Sequence, residues 1–352
     1  MILDGFESRV IASCAAALKS GELVAFPSET VYGLGADAGN DLAVAKIFEA
    51  KGRPREHPLI VHVDDELQGA AGVAHFAAEV PAFAQQLMQA FWPGPLTLIL
   101  RRRVGVGSAA AGGQDSIGLR CPAHPVAQAL LRACRALGVM GLAGPSANQF
   151  GRVSPTTAAH VAGEFGERLL ILDGGPCAVG IESTIIDCTR GAAVLLRPGA
   201  ITPEQVQAAC GQRVLTPDEA AAGHAPAPRA SGTLEAHYAP KAKLRLMDAR
   251  ALQTALNLLG SDIDRAGAVI AVYARALLRS PSAKVLRRRM PDDAAAAAQQ
   301  LFAVLRDFDA QGVKLIWVET PPATADWDAV RDRLQRAALS PTLQADTDRS
   351  MG

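Results

Sequence analysis

Apolar runs of strand length recur through the first part of the chain: Leu23 to Phe26, Leu59 to Val63, Leu96 to Leu100, Val139 to Ala143, Leu169 to Leu172, Ile185 to Asp187 and Val194 to Leu196. Between them, Val44, Ile47 and Phe48, then Val80, Phe83 and Leu87, then Val126, Leu130, Cys134 and Leu137 return at spacings of three and four, so each set marks one buried helix face. This alternation predicts an α/β sheet covered by helices.

From Gly211 to Pro240 the pattern dissolves into TPDEAAAGHAPAPRASGTLEAHYAP, where alternating prolines favour an extended backbone, and the segment reads as a linker. Beyond it, Leu244 to Met247, Val269 to Val272 and Leu315 to Val318 read as strands, with helices around Leu252 to Leu259 and Asp292 to Phe308. The expected organisation is therefore a first domain over 1–210, a linker over 211–241, a smaller α/β domain over 242–340, and a polar, disordered tail over 341–352.

Composition narrows the partners. The 352 residues are 49% hydrophobic, and 35 basic residues balance 35 acidic ones, so no global field draws in nucleic acid or membrane. Six cysteines stand apart in apolar segments with no CxxC pair, as buried reduced thiols of a cytosolic protein would. MILDGFESRV lacks the apolar core of a signal peptide, and no apolar run reaches the ~18 residues of a membrane span, so a soluble, cytoplasmic protein without membrane contact is expected.

Candidate chemistry is densest between Ser28 and Val63, where SETVYGLGA and KGRPREHPLIVHV bring glycines, a threonine and basic or imidazole side chains together, as a phosphate ligand would require. GxxxxGK[ST], a complete dinucleotide fingerprint, HExxH, the nucleophile elbow and zinc spacings are all missing, so those classes fall away. Lys51 and Arg53 flank Gly52 ahead of Pro54, which prevents the preceding helix from continuing. Taken alone, they read first as cations placed favourably at a helix C-terminus.

GLAGPSANQFGRVSPT sets Ser146 and Asn148 on a turn after a strand, with Gly151 and Ser154 beyond; a ligand loop and an ordinary Asx or Ser turn both fit. Glu182, Ser183 and Thr184 stand at the mouth of the next strand, where capping is the plain alternative. Arg120 lies in the apolar segment SIGLRCP, and a buried guanidinium needs a carboxylate or phosphate partner, which favours a functional role. Arg197 closes an apolar run and reads equally well as a residue surfacing there. Trp92-Pro93-Gly94-Pro95 reads as a rigid corner, and the basic runs Arg101 to Arg103 and Arg287 to Arg289 as solvated strand ends.

Taken in order, TVYGLGA, KGRPREHPLIVH, FWPGPLT, GLRCP, GPSANQFGRVSPT, GIESTIID, LLRPGAIT and SGTLEAHYAP resemble the long form of the threonylcarbamoyl-AMP synthase family over residues 10 to 240. The resemblance implies a twisted, mixed open sheet with helices of the YrdC type, followed by a smaller Rossmann-like α/β domain. It implies a nucleotidyltransferase that converts L-threonine, bicarbonate and ATP into threonylcarbamoyl-AMP and pyrophosphate, supplying a transferase that modifies tRNA beside the anticodon. Direct tRNA contact is expected to be weak and local.

The resemblance also assigns roles. Lys51 and Arg53 hold ATP phosphates and carry catalysis, with His57, Ser116, Ser146, Asn148, Ser154 and Arg197 completing the nucleotide site. Thr30, His62, Arg120, Gly144 and Ser183 surround the threonine, and Tyr238 reaches over the nucleotide as part of a lid. Magnesium is implied as a bridge between the phosphates, with no carboxylate cluster for a dedicated cage. Ser28 and His57 replace the threonine and asparagine common in relatives, and His57 gives nucleotide affinity a pH dependence.

Two rival readings are weaker. A carbamoyl transferase of hydrogenase maturation would carry paired-cysteine zinc motifs ahead of this domain, whereas here the domain starts near residue 10. A non-catalytic RNA- or ribosome-binding module would interleave basic and aromatic residues, and only 5% of this chain is aromatic.

Overall fold

The computed structural model describes residues 1–221, 228–232, 236–259, 269–280, 282 and 284–339. The expected tail, 341–352, lies outside them. Two compact units are resolved: Met1–Phe150 with Ser154–Thr233, and Gly151–Val153 with Leu234–Gly352. The short excursion 151–153, placed by sequence in the first domain, thus belongs with the second unit, where Ala239 N–H donates to the Gly151 carbonyl at 2.8 Å.

The first unit is built on ten strands: β1 (Ile2–Asp4), β2 (Val24–Phe26), β3 (Gly33–Asp37), β4 (Ile60–His62), β5 (Leu96–Arg101), β6 (Ser116–Arg120), β7 (Leu142–Ala143), β8 (Leu170–Asp173), β9 (Thr184–Asp187) and β10 (Val194–Arg197). They lie in the order β1-β8-β2-β3-β7-β4-β6-β5-β9-β10. Parallel pairs such as β4 with β6 and β5 with β9 alternate with antiparallel ones such as β5 with β6, which makes the sheet mixed. The helices Asp41–Lys51, Ala82–Phe91 and Pro125–Ala136 bury the faces their periodicity marks. Of the marked positions, Leu137 is exposed and caps the last of these helices.

Two apolar clusters hold the sheet. One gathers Tyr32, Leu34, Ile47, Val61, Leu98 and Leu119 among others; the second packs Leu18, Phe26, Leu130 and Leu172. All six cysteines are free and buried. No described helix is long and apolar enough to cross a membrane.

Part of the expected linker is packed. Leu215 bridges to Val194 of β10, and a short helix, Pro217–Ala221, follows. Ala230 packs against the Ile60, Ile99 and Ile185 face of the sheet, and Arg229 N–H donates to the Gln114 side chain at 2.8 Å. These residues therefore form part of the first unit, and the prolines limit regular structure there without preventing docking.

The second unit carries β11 (Lys243–Met247), β12 (Ile270–Ala274), β13 (Val285–Arg289) and β14 (Leu315–Glu319) in the order β11-β14-β12-β13, with every pair parallel. The helices Ala249–Leu259 and Ala294–Ala310 correspond to the two periodic segments read from sequence.

Candidate active site

The site assembles where strands end and their loops turn, the usual place for a ligand in an open α/β sheet. His62 ends β4 and Arg120 ends β6, and the parallel register makes them direct neighbours. The antiparallel β4–β7 pairing sets Leu142 opposite His62, which brings the Gly144 loop alongside. Gly144 N–H donates to the Ile60 carbonyl at 2.9 Å, and a β-carbon at Gly144 would stand 2.9 Å from His62 Nδ1.

Arg120 is 3% exposed and held on three sides. Its Nε donates to the Gly94 carbonyl at 3.2 Å and its Nη1 to the Thr30 hydroxyl at 2.8 Å, while Nη2 lies 2.6 Å from Glu29 Oε1. The corner Trp92-Pro93-Gly94-Pro95 thus supplies a carbonyl to the site as well as a turn. Burial of the guanidinium is balanced by an internal carboxylate, Glu29, which sequence reasoning passed over. Its signal was a lone acid inside an apolar loop next to Thr30.

The proton arrangement around Thr30 is fixed. Ser28 Oγ is 2.6 Å from the Val31 carbonyl, which only accepts, so the Ser28 proton is committed there. In the 2.9 Å contact between the Ser28 and Thr30 hydroxyls, Thr30 is therefore the donor. With one lone pair already taken by Arg120, Thr30 has only acceptor capacity left for a ligand.

His62 is buried, and its pKa is pushed down from 6.5 to about 3, by desolvation first and then by the Arg120 charge, while a hydrogen bond to the Leu142 backbone carbonyl opposes. The ring is neutral at physiological pH, stands edge-on to Phe26 at 5.5 Å, and its Nδ1 has no hydrogen-bond partner among the described residues.

A second group of residues surrounds the helix Asp41–Lys51. Asn40 caps its N-terminus, accepting from Leu42 and Ala43 N–H at 3.1 and 3.2 Å. Gly52, with φ 61, ends it in the left-handed conformation that glycine adopts without strain. The turn carries Lys51 inward: its Nζ donates to the carbonyls of Ser146, at 2.6 Å, and Asn148. Lys51 is therefore no solvated complement to the helix dipole. Its pKa is lowered well below 10.5 by burial and by Arg53, against an opposing pull from Glu164.

Arg53 donates to the Pro58 carbonyl at 3.0 Å and sits over the Phe150 ring, which also meets His57 edge-on. Burial and the Arg53 charge, with a smaller push from Arg229 and opposition from Glu56, lower the His57 pKa.

Ser183 and Arg197 meet directly. Arg197 donates through Nε and Nη2 to the Ser183 carbonyl at 3.0 and 2.9 Å and through Nη2 to its hydroxyl at 3.1 Å. The same hydroxyl shares a 2.7 Å bond with Thr97, a buried residue not singled out in the sequence reading. Arg197, an even choice on sequence, is 2% exposed and so does not surface at its strand end. Ser154 donates to Glu182, and both are buried, so Glu182 is a hydrogen-bond partner of a candidate nucleotide residue. Ser116 opens β6 and lies two and four residues from Gly118 and Arg120, on the same face of the strand.

Tyr238 belongs to the second unit. It adopts φ 62, rare for a side chain of this size, and its ring stacks on Phe302 at 5.5 Å beneath the Arg333 guanidinium.

Residues 16–199 match a family model described as telomere recombination, and residues 201–339 match one described as the threonylcarbamoyl-AMP synthase C-terminal domain. A threonylcarbamoyl-AMP synthase of Bacillus subtilis is 39% identical over 334 residues, covering 93% of this chain and 92% of that protein. One from Pyrococcus abyssi is 36% identical over 341 residues, covering 96% of each. The crystal structure of P. abyssi Sua5 complexed with L-threonine superposes with a TM-score of 0.83 at 34% identity, covering 96% of this chain and 97% of that one. Likeness over nearly the whole length, in sequence and in fold, establishes that the chain belongs to the threonylcarbamoyl-AMP synthase family.

Proposed function

We propose that this protein converts L-threonine, bicarbonate and ATP into threonylcarbamoyl-AMP and pyrophosphate, and that a downstream transferase passes the threonylcarbamoyl group to adenosine beside a tRNA anticodon. The observation that carries this reading is the near full-length likeness to P. abyssi Sua5, whose crystal structure holds L-threonine. The buried Arg120, Thr30 and His62 group has the chemistry for such a ligand: a guanidinium for the carboxylate, a hydroxyl restricted to accepting, and a neutral imidazole.

In this reaction bicarbonate takes up a proton and loses water to give carbon dioxide, and the threonine amine, giving up a proton, takes up that carbon dioxide as a carbamate. A carbamate oxygen then attacks the α-phosphorus, and the bond to pyrophosphate breaks. The nucleophile is already anionic, so the protein's contribution is placement and neutralisation of charge on the phosphates. Lys51, Arg53 and Arg197 provide the cations, with His57, Ser116, Ser146, Asn148 and Ser154 as further nucleotide contacts.

We assign Thr30, His62, Arg120, Gly144 and Ser183 to the amino acid; the Ser183–Arg197 contact joins the two halves of the site. Magnesium would enter with ATP as part of the substrate. Tyr238 acts as part of a lid that protects the carbamate and adenylate from water.

The test is pyrophosphate release from ATP by purified protein, with and without L-threonine and bicarbonate. Release should require both. Turnover that ignores threonine would overturn the reading, and a Tyr238→Ala variant with unaltered product formation and hydrolysis would remove the lid from it.

A further inference from the structure

The Glu29–Arg120 pair is more than compensation for a buried charge. Glu29 is fixed from behind: its Oε2 accepts from Ala123 N–H at 3.1 Å, and its own carbonyl accepts from Val179 N–H at 2.7 Å. The residue is therefore tied to two separate loops, to one through its carboxylate and to the other through its backbone. At 2.6 Å from Nη2 it forms a close, buried ion pair. Nη2 carries two N–H groups, so one remains once the other faces Glu29.

The other anchors complete the picture. Gly94 takes Nε, Thr30 takes one N–H of Nη1 and Glu29 faces Nη2, which leaves one N–H on each terminal nitrogen for a substrate carboxylate. Without Glu29, the Nη2 corner would have no opposing charge, and the guanidinium could turn about its two remaining anchors.

We propose that Glu29 is a positioning residue for the amino-acid substrate: by holding the Nη2 side of Arg120, it keeps the guanidinium edge aligned for bidentate capture of the substrate α-carboxylate. This rests on the reading of the Arg120 pocket as the L-threonine site. Glu29 itself makes no bond to the reacting atoms, so its effect falls on amino-acid affinity and leaves the nucleotide side alone.

The experiment compares wild type with Glu29→Gln, which keeps volume and one acceptor but no charge, and with Glu29→Ala. KM for L-threonine should rise on the order of 10- to 100-fold, the range for loss of a hydrogen-bonding partner to a charged group. KM for ATP should stay within about twofold of wild type, and inhibition by L-threoninol, which lacks the carboxylate, should be equal in all three proteins, since nothing in it engages the arginine edge. An unchanged threonine KM, a parallel rise in both KM values, or an equal loss of threoninol affinity would overturn the proposal. So would failure of both variants to fold, which would make the pair structural. If wild type itself shows no threonine dependence, it is the functional reading that fails.

Discussion

Nζ of Lys51 lies 2.6 Å from the carbonyl oxygen of Ser146, at the end of a helix that closes on Gly52. The lysine thus spends donors on the loop that carries Ser146 and Asn148, in a setting where burial and Arg53 disfavour its charged form. Phosphate oxygens arriving beside it would reverse that balance. Bound phosphates are therefore expected to raise the lowered Lys51 pKa, so that ATP binding is accompanied by proton uptake. Titration calorimetry in buffers of different ionisation enthalpy should show this uptake in wild type and not in Lys51→Met. Uptake that persists in the variant would assign the proton elsewhere.

Thr30 links the Ser28 hydroxyl to Arg120, donating to the first and accepting from the second. Thr30→Val keeps the shape and removes both bonds, leaving a buried guanidinium N–H unmet. A stability loss of about 1–3 kcal/mol is expected, with at least a tenfold rise in the KM for threonine. Thr30→Ser retains the hydroxyl and should stay within about threefold of wild type in KM. Urea denaturation and steady-state kinetics on the two variants separate the hydroxyl from the methyl group; equal behaviour of both would sink the argument.

Strands such as β5 were legible because their apolar runs are continuous, as buried strands require. β3 was not, because its sequence GLGAD reads as a turn. Its glycines are there for packing: a β-carbon on Gly35 would stand 3.0 Å from the Phe26 ring. β13 was legible only at its arginines, read as a solvated strand end, which an edge strand can leave exposed. The candidate cations were visible one at a time, but their partners were not. Lys51 meets carbonyls 95 and 97 residues away, and Arg120 meets Thr30 across 90 residues, distances over which no local periodicity carries information.

Gly144 brings backbone close to the His62 ring. A β-carbon there would lie 2.9 Å from Nδ1, 3.1 Å from Cε1 and 3.1 Å from Phe26 Cζ. Neither ring has room to withdraw, since both are buried and in edge contact. Gly144→Ala should cost about 1–3 kcal/mol of stability through overpacking and displace His62 toward the amino-acid pocket. The KM for threonine should rise with little change in that for ATP. A parallel rise in both would mean that the strain spreads along the loop to Ser146.

The buried neutral imidazole of His62 also sets a pH dependence. Its folded-state pKa of about 3 lies below the ordinary 6.5, so the folded protein refuses a proton that the unfolded chain accepts. The contribution to stability is complete above pH 6.5 and is lost as the pH falls from there toward 3. One proton corresponds to a slope of about 1.4 kcal/mol per pH unit across that window. His124 and His57, whose pKa values are also lowered, add to the same trend, so the test compares slopes and not absolute stabilities. Urea unfolding between pH 6 and 4 should lose stability less steeply in His62→Gln than in wild type, by close to that one-proton slope. Equal slopes would mean that His62 takes up its proton in the folded protein, which would require acid water or a carboxylate to reach a ring that the structure keeps sealed between Phe26 and Gly144.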